Sequence, residues 1–182
     1  LGFETCWVGG FFRPEVAGEI VGLAPGERVL AVSAVGFAKQ SGMAGLYEGL
    51  FKFGTKMGKR KELQEILYVE DVNPPRWFDR AMEAVRLAPS SYNAQPWHVF
   101  YHKDGRMTFS SVADYKDKIK LGHGAPNSSR LCVGIAMLHL KVASRALGIE
   151  GKWLPEEEAT NPIASYYVPI NVEDDLDRLH FD

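Results

Sequence analysis

Asp104-Gly105 stands between two strand-like runs, Trp97 to His102 and Arg106 to Ser111. An Asp-Gly pair in that setting is the strongest short-range hairpin signal, because both residues tolerate the positive φ of a tight turn. The chain must therefore hold antiparallel strands. It must also hold helices. Asn73-Pro74-Pro75 opens one that runs to about Leu87, with Phe78, Met82 and Val85 forming an apolar stripe at spacings of four and three. Pro89 stops it. Asn127 or Ser128 caps a long helix through Leu147, closed by Gly148. Arg13-Pro14 begins a short helix to about Val21, Pro25-Gly26 is a turn, and Lys61 to Leu67 reads as a short helix or an edge segment. Leu1 to Phe12 reads as a helix end running into a loop. Arg28 to Phe37 reads as a strand buried on both faces, and Gly151 to Leu154 and Ser165 to Val172 as the final strands. Helices and strands mix without a βαβ rhythm, so the class is α+β.

With 46% apolar residues in 182, the chain can bury a real core, and its length corresponds to about one domain. Lysine and arginine number 21 against 23 acids, a formal charge of −2, which argues against nucleic acid as a partner. The longest apolar stretch, Leu131 to Leu140, is interrupted by His139 and falls short of the ~18 residues of a bilayer span, so no membrane is expected. Cys6 and Cys132 are too few for a disulfide framework and read as small buried hydrophobes, which fits a reducing, cytoplasmic setting. Residues 39–61 form a basic segment with Gly42, Gly45, Gly49, Gly54 and Gly58, a long functional loop or linker. Tyr115 to Gly124 reads as polar loop, and the acidic tail after Val172 as a solvated end.

Several chemistries are excluded by motif. No GxGxxG, GxxxxGK[ST] or GxSxG occurs, and no Cys/His group has zinc spacing. His98 and His102 share a strand and lie about 13 Å apart, too far to hold one metal. His139 reads as a satisfied core histidine. Three patterns remain. Pro89-Ser90-Ser91-Tyr92-Asn93-Ala94-Gln95-Pro96-Trp97 sets five hydrogen-bonding side chains between a helix and a strand; they serve either capping and turn formation or recognition of a heterocycle's polar edge. Gly9-Gly10 is an ordinary turn or a place where backbone approaches a flat ligand. Lys59-Arg60-Lys61 is a solvated basic face or a clamp for a dianionic phosphate, which Arg can bind bidentately. Together they describe the needs of flavin mononucleotide (FMN): a surface for a flat ring, donors and acceptors for its edge, and cations for its phosphate.

Ala88 to Trp97 resembles the Ser-x-x-Asn-x-Gln-Pro-Trp signature of the FMN-dependent nitroreductase family. Thr5-Cys6-Trp7-Val8-Gly9-Gly10-Phe11 resembles that family's flavin-contacting glycine loop, Gly26 to Val32 with Gly36 the strand after it, and Lys59-Arg60-Lys61 its late phosphate clamp. The order is inverted, since in the family the Asn/Gln/Pro/Trp motif comes first. The resemblance therefore implies a tandem, single-chain pseudo-dimer that begins part-way through: residues 1–68 as the C-terminal part of a first nitroreductase-like half, residues 69–182 as a second half. The implied fold is a mixed sheet flanked by helices. Gly134, inside the long helix, implies close backbone packing there.

Carried over residue by residue, the resemblance implies a cofactor site of Gly9, Gly10, Lys59 and Arg60 from the first half, with Pro89, Ser90, Ser91 and Asn93 from the second. The family's early Arg-x-Ser-x-Arg-like motif has no counterpart before Pro89, where the chain reads Asn73-Pro74-Pro75-Arg76-Trp77; it is expected upstream of Leu1. The missing half in cis, or self-association, would complete the site. The implied activity is an oxidoreductase in which NAD(P)H, as transient co-substrate, reduces FMN and a nitroaromatic- or quinone-like acceptor then takes its place. No side chain is assigned as catalytic, since the flavin carries the chemistry. The alternative is a non-catalytic module of the same fold, binding or structural, with a degenerate flavin site.

Overall fold

The computed structural model describes residues 2–9, 12–37, 59–112, 128–155 and 162–168. By compactness the chain divides into two units, residues 1–57 with 117–128, and residues 58–116 with 129–182.

In the first unit, β1 (Glu4–Val8) pairs antiparallel with β2 (Val32–Gly36), Cys6 opposite Ala34. Helix α1 (Pro14–Val21) lies between them in sequence, with Pro14 at its first turn and Gly22 in the left-handed region (φ 69°) as its cap. Two expectations are corrected here. Residues 4–8 are a strand, because Thr5, Trp7 and Val8 favour the pleat and find a partner in 32–36. The second strand is exposed at its centre, not buried on both faces, because among the described residues only β1 pairs with it. Cys6 is accordingly exposed. Gly18 is the one buried position among the described residues of this unit.

The second unit holds a five-stranded mixed sheet in the order β3-β4-β5-β7-β6. A single turn, α2 (Leu63–Ile66), starts with a capping box between Glu62 and Glu65 and leads straight into β3 (Leu67–Val69). Helix α3 (Phe78–Arg86) then carries the chain to β4 (Trp97–Tyr101), which runs parallel to β3. β5 (Arg106–Ser111) returns antiparallel through Lys103-Asp104-Gly105, where Gly105 takes φ +82° and the Asp104 carboxylate accepts the Arg106 N–H. Helix α4 (Ser128–Ala146) ends at Gly148 (φ +74°), and β6 (Lys152–Pro155) and β7 (Pro162–Tyr167) complete the sheet antiparallel. The class is α+β, a mixed sheet flanked by helices.

Alternation along the strands decides where the core lies. Trp97, Val99, Tyr101, Met107, Phe109 and Tyr166 are buried with Phe78, Ala81, Met82 and Val85 of α3 and with Cys132, Val133, Ala136 and Leu140 of α4. The stripe Phe78–Met82–Val85 is the buried face of α3, as its spacing requires. His139 donates from Nδ1 to the Ala84 carbonyl (3.0 Å), a satisfied histidine joining α4 to α3. Gly134 departs from expectation: it is exposed, and a Cβ there would meet no described atom within 4 Å. Among the described residues, no helix is long and apolar enough to cross a membrane. Most of the basic segment (38–58), the loop 113–127, Val172 and the acidic tail lie outside the described residues.

Candidate functional site

Helix α3 ends because Pro89 cannot continue it. Ser90 is extended (φ −147°, ψ 158°), and Ser91–Asn93 form a 3₁₀ turn. Three side chains bearing a Cβ take positive φ within four positions: Tyr92 (51°), Asn93 (53°) and Gln95 (47°). Asparagine tolerates this region, but tyrosine and glutamine are disfavoured there, and a residue before proline is normally extended. Such geometry persists only where the surroundings over-determine it.

Those surroundings are residues 59–61. Asn93 accepts from Arg60 Nη1 at its Oδ1 and donates from Nδ2 to the Lys59 carbonyl at 2.8 Å. Gln95 accepts the Lys61 N–H at Oε1 (2.8 Å) and donates from Nε2 to the carbonyls of Asn93 (3.1 Å) and Lys59 (3.3 Å). The Gln95 N–H reaches Ser90 Oγ (2.9 Å), and its carbonyl accepts from Lys61 Nζ (3.0 Å). The Ser91 N–H donates to Cys132 Sγ at 3.3 Å, anchoring the turn on α4. Two stretches more than thirty residues apart in sequence are thus laced together.

The electrostatics favour an anion. Arg60 is half-buried, and burial, followed by the charge of Arg86, pulls its guanidinium below the ordinary arginine value. Arg86 is held by Glu83 through paired bonds of 2.7 Å. Arg60 commits one N–H to Asn93 and makes no other hydrogen bond among the described residues, so most of its five-donor fork is available to a ligand. Ser90 Oγ accepts from Gln95 and keeps its own proton to donate. Beyond the clamp, His98 titrates below an ordinary histidine because it is partly buried and then because Lys61 is near. Its ring meets Tyr68 edge-on at 5.4 Å, and Tyr68 stacks on Phe100 at 5.0 Å.

The structure therefore gathers Lys59, Arg60, Ser90, Ser91 and Asn93 in one unit around the Ser91–Asn93 turn, with Pro89 exposed at its start. Gly9 belongs to the first unit; it has ordinary φ and open space where a Cβ would stand. Gly10 lies outside the described residues. Sequence reasoning missed how much Gln95 and Cys132 do. The signal for Gln95 was its place before Pro96, where a long amide can turn back on its own loop; Cys132 gave none beyond its apolar helix.

Residues 1–144 match the model of a family described as Putative TM nitroreductase. Among solved structures, the crystal structure of a putative nitroreductase from Thermotoga maritima MSB8 matches with TM-score 0.54 and 18% sequence identity. The match covers 92% of this chain and 56% of that one, so the chain spans little more than half the length of the structure it resembles. No curated protein matches.

Proposed function

We propose, for a chain that belongs to the family described as Putative TM nitroreductase, an FMN-dependent oxidoreductase that passes hydride from NAD(P)H to a nitroaromatic- or quinone-like acceptor. Membership of that family supports the oxidoreductase reading. The finer reading rests on one observation: a half-buried arginine with most of its fork available is fixed, through Asn93, to the turn that follows Ser90, by bonds that involve no ligand. That donor set suits a phosphomonoester, whose dianion wants a guanidinium and hydroxyl donors together. Lys59 and Arg60 supply the charge, Ser90 and Ser91 the neutral donors, and Asn93 holds Arg60 in place. The flavin, when bound, supplies the two-electron chemistry; the protein binds and orients it. Residues beyond this chain, in cis or from a second copy, complete the site.

The test is the visible absorption spectrum of the purified chain and of the longest reading frame that contains it, followed by NAD(P)H oxidation with a nitroaromatic acceptor. A flavin spectrum with acceptor-dependent NAD(P)H oxidation is expected in the longer form. A protein that stays colourless after FMN is added would favour the non-catalytic module.

A further inference from the structure

We propose that Gln95 is the positioning residue of the phosphate clamp: it sets Arg60 and makes the site select a phosphorylated ligand over its unphosphorylated counterpart. The inference rests on the flavin reading above and deepens it.

Gln95 is 4% exposed, too buried to touch a ligand itself. Its amide bonds the main chain of residues 59–61 directly. Oε1 takes the N–H of Lys61, Nε2 gives to the carbonyl of Lys59, and so the peptide groups on both sides of Arg60 are tied to one side chain. The same Nε2 bonds the Asn93 carbonyl, fixing the residue whose Oδ1 holds Arg60 Nη1. Its own main chain closes the other side, through the Ser90 hydroxyl and the Lys61 ammonium. Arg60 is thereby held at its main chain and at its tip. An arginine held this way gives up little rotamer freedom when an anion arrives, whereas a free one gives up most of it. Gln95 also keeps a left-handed φ before a proline, a conformation that only this set of bonds explains.

Removing the amide leaves the Lys61 N–H and the Lys59 and Asn93 carbonyls without this partner and lets residues 59–61 drift from the turn. The bonds lost lie within the clamp, at Lys59, Lys61 and Asn93. The change should therefore fall on the phosphate alone.

The experiment titrates FMN and riboflavin into the full-length wild-type protein and Gln95→Met, reading bound flavin by fluorescence. Riboflavin has the same ring and no phosphate. The wild type is expected to prefer FMN by tenfold or more, and Gln95→Met to lose most of that preference, about tenfold, with riboflavin affinity unchanged. Should Gln95→Met fail to fold, Gln95→Glu keeps the acceptor for Lys61 and loses both donor bonds, and the same collapse is expected. An unchanged preference would overturn the role of Gln95 while leaving the flavin reading intact. Equal weakening of both ligands would overturn it in favour of a purely structural role. A wild type that binds neither flavin would overturn the flavin reading and this inference with it.

Discussion

Replacing Gly151 by alanine tests the packing of the second unit at its tightest point. A Cβ at Gly151 would lie 2.5 Å from Cε1 and 2.8 Å from the hydroxyl of Tyr166, and against its Cζ. The ring cannot give way. Tyr166 is 1% exposed, lies 4.7 Å from Trp153 between ring centroids, and uses its hydroxyl twice, with Ser144 Oγ at 2.9 Å and the Gly151 N–H at 3.0 Å. Inserting one methyl into a packed core costs about 1–3 kcal/mol. Shifting the ring also strands a buried donor or acceptor, a further ~1–3 kcal/mol. A total of ~3 kcal/mol lowers the Tm by roughly 10 °C for a unit of this size. Thermal unfolding of Gly151→Ala, followed by circular dichroism, reads it directly. The decisive control is Tyr166→Leu, which vacates the ring: the same glycine substitution should then cost much less, so the two changes are not additive. A Gly151→Ala protein that melts within about 2 °C of wild type, or an equal cost in both backgrounds, would refute the reasoning.

Arg60→Ala removes a charge-assisted bond of roughly 1.5–3 kcal/mol and should weaken FMN binding about tenfold to a hundredfold, with Ser91→Ala weaker by several-fold; unchanged affinity in both, by fluorescence titration, would remove the proposed site. Glu70 is held below the ordinary glutamate range by the Lys103 N–H (2.9 Å), then by His102 (3.2 Å). Its folded value being lower, ionised Glu70 stabilises the fold above the unfolded glutamate pKa, and this is lost as pH falls through the folded one; Glu70→Gln should therefore show the smaller fall in Tm on acidification, and parallel acid limbs would contradict it. In the first unit Ile20, Val35 and Phe37 are 80%, 67% and 72% exposed, and a two-stranded ribbon is marginal without further cover. Hydrogen exchange at 32–36 should be fast in the monomeric chain and slow in the longer reading frame or a self-associated form; strong protection in the monomer would refute that.

What the sequence makes legible is local chemistry with a single outcome. Asp104-Gly105 turns the chain, Pro89 ends α3, and the Phe78–Met82–Val85 stripe finds the core, because each follows from near neighbours. The misreadings share the opposite cause. Residues 4–8 become a strand only by meeting 32–36, and β2 is exposed because it has one neighbour among the described residues where its composition anticipates two. Gly134 costs helix stability wherever it stands, yet nothing in the sequence says whether another backbone lies beside it.

The site divides the same way. Residue types around Lys59-Arg60-Lys61 and Pro89 to Trp97 identify a polar loop and a cationic stretch, but each alone is as well explained by capping or by solvent. Their meaning lies in pairing across more than thirty residues, which spacing does not encode. Once paired, the logic is physical. Three left-handed residues cost about 1–2 kcal/mol each, and the bonds to 59–61 offset that only while both stretches are in register. The loop and the cations therefore stand or fall together. A fold that needed only a turn after α3 would have met the need more cheaply with glycine at 92, 93 and 95. The side chains kept there instead, Asn93 and Gln95, are those that reach Arg60 and its flanking peptides, which is the arrangement expected where the turn exists to hold the arginine.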